Sequence, residues 1–172
     1  MPEPARWPGG PVDVRDARPE EFHTIGELRV AAYRADGFLS AASTYADTLR
    51  ALGTDGTGEI LAAVDGGRLL GTVMLLSWPD AGEVVRAPGE AEIRALAVAS
   101  AARGRGIGRT LLAAVTSRAA NRQVRQLMLL TRPDMRAAQH LYAQAGFTRL
   151  PGRDWQPPAG PLLLAYGLAL GG

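Results

Sequence analysis

The sequence predicts an α/β fold: one mixed sheet, part antiparallel and part parallel, in a single domain. Three observations lead there. The chain of 172 residues is one domain long and can bury a proper core. Apolar runs at residues 59–64 and Arg68–Ser77 flank Asp65-Gly66-Gly67, a strong signal for an antiparallel hairpin. After residue 90, apolar runs alternate with helical periodicity, which asks for a parallel crossover. The predicted order is β-α-α-β-β-β-α-β-α-β-β, neither doubly wound nor an all-β sandwich.

Residues 1–11 are rich in proline and read as a disordered leader, with the domain over 12–172. A first strand is expected at 12–16. Pro19-Glu20-Glu21 then opens a helix, with acids in the first turn where the dipole favours them. That helix carries Phe22, Ile25, Leu28 and Tyr33 and fades at Asp36-Gly37; residues 39–52 are expected to be mostly helical. After the hairpin comes a loop, 78–89, then a strand at 90–99. Ile107, Leu111, Leu112, Val115 and Ala119 form one stripe, predicting a helix over Ile107–Asn121. Gln126–Thr131 is a buried strand, and Asp134 is expected to cap a helix ended by Gly146. Two strands, 147–150 and 162–170, close the chain around the loop 151–161.

Composition excludes several classes. No stretch approaches the ~20 apolar residues of a membrane span, and the N-terminus lacks the apolar block of a signal peptide. There is no cysteine, so no disulfide and no thiol nucleophile. Cytoplasmic is the default location. Metal ligation has no support, with two separated histidines, His23 and His140, and no clustered carboxylates. Both histidines read as structural. No G-x-S-x-G elbow is present. All 19 basic residues are arginine. Residues 1–100 hold nine Arg against fifteen acids, whereas 101–153 hold ten Arg and the single acid Asp134. The second half therefore expects an anionic partner, nucleic acid or a cofactor with several phosphates. No interleaved aromatics or helix-turn-helix support nucleic acid, which stays second.

The centre of the pattern is strand, glycine-rich turn, helix: Leu96-Ala97-Val98, then Arg103-Gly104-Arg105-Gly106-Ile107-Gly108-Arg109. Glycines at the mouth of a helix let backbone approach a ligand, and the first helical amides have no internal partner. With the positive end of the dipole behind them they suit a diphosphate, and Arg103, Arg105 and Arg109 add charge-assisted donors. A P-loop needs lysine after its last glycine, and the chain has none. A dinucleotide fingerprint needs G-x-G-x-x-G and an acid ending the next strand, which here ends in Thr131-Arg132.

The segment closely resembles the acetyl-CoA signature of the GNAT N-acetyltransferases, R/Q-x-x-G-x-G/A after a strand ending L-x-V, through Arg103, Gly106, Gly108 and Leu96-Ala97-Val98. The resemblance implies the GNAT fold, with acetyl-CoA as co-substrate and an amine as acceptor. It implies that amides after Arg103, through Gly104, Arg105, Gly106, Ile107, Gly108 and Arg109, hold the diphosphate. The backbone of Leu96, Ala97 and Val98 would pair with the pantetheine arm. Further on, Ala138, Leu141, Tyr142, Gly146 and Phe147 resemble the family's A-x-x-L-Y-x-x-x-G-F helix, which makes Tyr142 the general acid. By periodicity alone Tyr142 shares a face with Met135, Ala138, Leu141 and Ala145 and reads as core. Many members have Asn where Met135 stands.

Acyl transfer to an amine needs a neutral amine, a donor for the oxyanion and a proton for the leaving thiolate. Glu92 is the candidate base, on the same side as Arg94, Leu96 and Val98 if pairing is regular; it reads equally as a partner of Arg94. The family implies the Val98 amide as oxyanion donor. The resemblance implies that the acceptor is framed by 33–45, 78–89 and 151–161, where Asp36, Asp47, Asp80, Glu83 and Glu90 would favour a cationic amine and Trp78 and Trp155 an apolar wall. The expected function is acetyl-CoA-dependent N-acetylation, by a monomer or homodimer. A non-catalytic acyl-CoA-binding module on the same fold is the alternative.

Overall fold

In a computed structural model, residues 10–171 are described. The expected leader therefore lies, through residue 9, outside them. Seven strands and four α-helices follow the expected order: β1 (Asp13–Asp16), α1 (Phe22–Ala35), α2 (Tyr45–Ala51), β2 (Glu59–Asp65), β3 (Arg68–Ser77), β4 (Glu90–Val98), α3 (Ile107–Asn121), β5 (Gln126–Thr131), α4 (Arg136–Gln144), β6 (Thr148–Arg149) and β7 (Leu164–Ala169). They form one sheet in the order β1-β2-β3-β4-β5-β7-β6. All neighbours are antiparallel except β4 and β5. The single parallel pair is where α3 crosses over.

Alternation along the strands sorts side chains into two layers. Val73, Leu75, Ala91 and Ile93 face Ile107, Leu111, Leu112 and Val115 of α3, together with Tyr142 of α4 and Phe147 just beyond it. Met74 and Leu76 face Ile25 of α1, and α2 closes over α1 through Val30, Ala46 and Leu49. So α3 and α4 cover one face, α1 and α2 the other. The stripe expected for α3 is the buried one.

Several element boundaries differ from expectation for local reasons. Residues 19–21 form a 3₁₀ turn before α1, in which Glu21 accepts from the Arg18 amide at 2.8 Å. The expected helix at 39–52 shrinks to α2, because Gly37 at φ 77° turns the chain and irregular backbone runs up to Tyr45. Asp134 does not cap α4: its carboxylate takes a bidentate pair from Arg132 at 3.0 and 2.8 Å, and Met135 occupies the cap position.

Candidate active site

The site begins with an irregularity in β4. Ala95 adopts φ 52°, a left-handed conformation that non-glycine residues rarely take. Against β3 the register shifts there, with Met74 opposite Arg94 but Thr72 opposite Ala97. A bulge of this kind re-aims every residue beyond it. Up to Arg94 the even-numbered residues share the face of Met74 and Leu76; beyond Ala95, Leu96 and Val98 pack against the α3 layer. The expectation that Glu92, Arg94, Leu96 and Val98 share one side is therefore corrected. Glu92 and Arg94 lie on the α1 face, Leu96 and Val98 on the other.

The bulge also parts the strands. Pairing of β4 with β5 runs from Glu90–Gln126 to Ile93–Leu129 and stops. On its other edge β4 stays paired through Val98–Gly71. Residues 96–98 thus carry a row of backbone groups with no strand beside them, open to an extended ligand.

At the end of that row the chain makes a 3₁₀ turn, 100–102, and enters α3. Gly104 and Gly106 have φ of 80° and 73°, and a Cβ at either would meet nothing within 4 Å. Gly106 is the cap residue of α3 and no side chain caps the helix. The amides of Ile107, Gly108 and Arg109 face outward at the positive end of a 15-residue helix.

These parts line one cavity of about 650 Å³ between α1, β4, α3 and α4. Leu96, Ala97, Val98, Arg103, Gly104, Gly106, Ile107, Gly108 and Arg109 are on its wall, with Tyr33 and Asp36 opposite and Met135, Ala138 and Leu141 from α4. Of the expected cofactor residues, Arg105 alone is missing. Its guanidinium turns away, donating to Asp65 Oδ2 and to the Gly10 carbonyl, each at 3.1 Å, which ties the turn to the β2–β3 hairpin. Arg103 and Arg109 remain, Arg109 donating to Gln144 Oε1 at 3.2 Å. Arg103 makes a bidentate pair with Asp36 at 2.5 and 2.9 Å. Asp36, expected near the acceptor, therefore sits at the arginine end of the cavity.

The two candidate catalytic groups are buried and are not wall residues. Tyr142 packs its ring against Phe147 and Tyr166, with centroids 6.1 and 6.2 Å away. It is the core residue that periodicity allowed. Its hydroxyl makes no hydrogen bond among the described residues, and burial pushes its pKa up to about 12. Glu92 is 4% exposed. Burial raises its pKa, opposed by Arg94, whose Nε stands 3.9 Å from Oε1, and by the Gly82 amide, which donates to Oε2 at 3.1 Å. Where many relatives carry Asn, the Met135 sulfur accepts from Thr131 Oγ1 at 3.7 Å.

In the structure a strand opened by a bulge runs into an uncapped glycine-rich helix start. The family model of the GNAT acetyltransferases matches residues 22–147, from α1 through Phe147. The chain belongs to the GNAT acetyltransferase family. No curated protein matches it. Among solved structures, a GNAT acetyltransferase from Staphylococcus aureus Mu50 is 15% identical, with a TM-score of 0.74 over 94% of this chain and 100% of that one. YncA from Salmonella typhimurium, solved with acetyl-CoA, is 20% identical with a TM-score of 0.66, covering 93% and 94%. PaiA N-acetyltransferase from Thermoplasma acidophilum, solved with coenzyme A, is 14% identical with a TM-score of 0.68, covering 91% and 98%. These likenesses show the GNAT fold.

Within that GNAT fold, Tyr33 and Asp36 are among the wall residues that motif reading did not assign to the cofactor side. Asp36 meets Arg103 across 67 positions, and no local spacing signals such a pair. Among the described residues no group of three or more His, Cys, Asp or Glu could hold a metal ion, and no helix is long and apolar enough to cross a membrane.

Proposed function

We propose that this GNAT protein is an acetyl-CoA-dependent N-acetyltransferase that transfers directly to an amine. The parting of β4 from β5 at Ile93, immediately before an uncapped glycine-rich helix start, carries this reading. The site fits the coenzyme in three respects. Open space over Gly104 and Gly106 admits phosphates to the α3 amides. Arg103 and Arg109 supply charge beside them. The unpaired edge of residues 96–98 suits the two amides of a pantetheine arm, which would lie along it as a strand.

Acetyl-CoA, when bound, supplies a thioester whose acyl carbon accepts the amine and whose sulfur leaves. The Glu92 carboxylate, made a stronger base by burial, takes the proton that the amine sheds as its nitrogen bonds to the acyl carbon. The Tyr142 hydroxyl, held neutral by burial, gives its proton to the departing sulfur. The Val98 amide serves as oxyanion donor. Glu92 lies on the α1 face and Tyr142 on the α4 face, so acid and base act from opposite sides of the opening.

Tyr142→Phe tests the reading. Turnover falls by about tenfold or more, while coenzyme affinity measured by calorimetry is retained. Unchanged turnover removes Tyr142 from the chemistry. Tight coenzyme binding with no turnover over a broad amine panel in the unaltered protein overturns the transferase reading itself.

A further inference from the structure

The α1 face of the sheet holds a buried arginine, Arg29, beside a half-buried one, Arg94. Ile25, Arg29 and Tyr33 follow one another at helical spacing along α1, above the face that carries Met74, Leu76, Glu92 and Arg94. Arg29 is 1% exposed. Its Nη1 donates to the carbonyls of Leu49 and Leu52, at 2.9 and 2.8 Å, and so anchors the end of α2. Its Nε and Nη2 are buried without a hydrogen-bond partner among the described residues. Among the described residues, the groups that act electrostatically on this guanidinium are Tyr33, Tyr45 and a second arginine, Arg94. Arg94 makes no hydrogen bond among the described residues, and its nearest acid is Glu92 at 3.9 Å.

Leaving donors of a buried guanidinium unmade is costly, and two neighbouring cations raise that cost. Nε and Nη2 form one edge of the guanidinium, the fork that meets a carboxylate with two parallel hydrogen bonds. The groups at hand are a fork on Arg29, a second cation on Arg94, the Tyr33 hydroxyl end, and Glu92 beside them.

We propose that this GNAT protein's acceptor carries a carboxylate near its amine, as in an α-amino acid, held by Arg29 and Arg94 between α1 and β4 with the amine toward Glu92. The substrate class rests on the transferase reading above; the anion site does not. A cationic polyamine or a lysine side chain in a basic peptide would bring a third positive charge to the same place. Such acceptors are excluded by this arrangement. Of the acids expected to select a cation, Asp47 is paired with Arg50 and Glu90 with Arg153, which leaves neither free to do so.

The test uses the common α-amino acids and their carboxamides, which keep shape and amine but lose the charge. With acetyl-CoA present, at least one amino acid should exceed its amide in kcat/KM by about ten- to a hundredfold, the range of a charge-assisted hydrogen bond. In Arg94→Gln that ratio collapses toward unity. Because Arg29→Gln also releases α2 and can unfold the protein, Arg94 is the variant of choice. A thermal shift by the same amino acid without acetyl-CoA, lost in Arg94→Gln, reads the site independently of turnover. Amides as good as acids, a ratio that survives Arg94→Gln, or no shift and no turnover with any acid overturns the proposal. A shift with acids but no acetylation of any amine leaves the carboxylate site standing and overturns the transferase reading instead.

Discussion

Replacing Asp36 with Asn should tighten coenzyme binding, although it removes an ion pair. Asp36 and Arg103 are joined at 2.5 and 2.9 Å, yet their side chains are 38% and 43% exposed. An ion pair so placed contributes about 0.2–1 kcal/mol. A diphosphate at the α3 amides competes with Asp36 for the Arg103 guanidinium and meets the like charge of Asp36. Asp36→Asn removes both obstacles. The dissociation constant of coenzyme A should therefore fall by about 1.4- to 5-fold, the same energy expressed as affinity. Folding stability should drop by no more than about 1 kcal/mol. Isothermal titration at about 50 and about 300 mM salt reads the effect, which shrinks at the higher salt as exposed charges are screened. In an Arg103→Gln background the gain from Asp36→Asn should shrink to the part that comes from removing the like charge, since competition for Arg103 is gone. Weaker binding by Asp36→Asn would refute the reasoning and mean that Asp36 aims Arg103 at the ligand rather than withholding it.

Three further outcomes follow from the same geometry. Gly71→Ala should cost about 1–3 kcal/mol in urea unfolding, because the new Cβ stands 2.9 Å from the Ala97 carbonyl and from Leu111 Cδ1; an unchanged midpoint would mean that α3 does not rest on β3 there. Arg105→Gln should destabilise by about 1 kcal/mol through its tie to Asp65 yet leave coenzyme affinity intact, and a loss matching that of Arg103→Gln would put Arg105 back among the phosphate ligands. Burial raises the folded-state pKa of Glu92 above its ordinary 4.5, so the folded form binds the proton more tightly than the unfolded one. Its contribution is favourable at low pH and is lost as pH rises through the folded value, whereas acetyl transfer rises over that same interval. Glu92→Gln should flatten both dependences, and an unaltered rate profile would exclude Glu92 as the base.

The sequence alone determined what depends on local rules. Hairpin chemistry at Asp65-Gly66-Gly67 gave β2 and β3. The stripe from Ile107 to Ala119 gave α3 to the residue, because a helix needs only its own periodicity and one buried face. The spacing of Arg103, Gly106 and Gly108 with Leu96-Ala97-Val98 located the cavity, since close backbone approach demands glycine at fixed offsets. Only the tertiary structure decided the rest. The bulge at Ala95 has no signature in residue types, for alanine does not favour positive φ, and it alone splits Glu92 and Arg94 from Leu96 and Val98. Arg105, within the same local pattern as Arg103 and Arg109, is drawn to Asp65 because the hairpin happens to end beside it. Arg29 resembles any helical arginine in sequence; α2 folding over it makes it a buried cation with two free donors. Charge partners and strand bulges are set by which segments meet, and that information is spread over tens of residues rather than written in any one stretch.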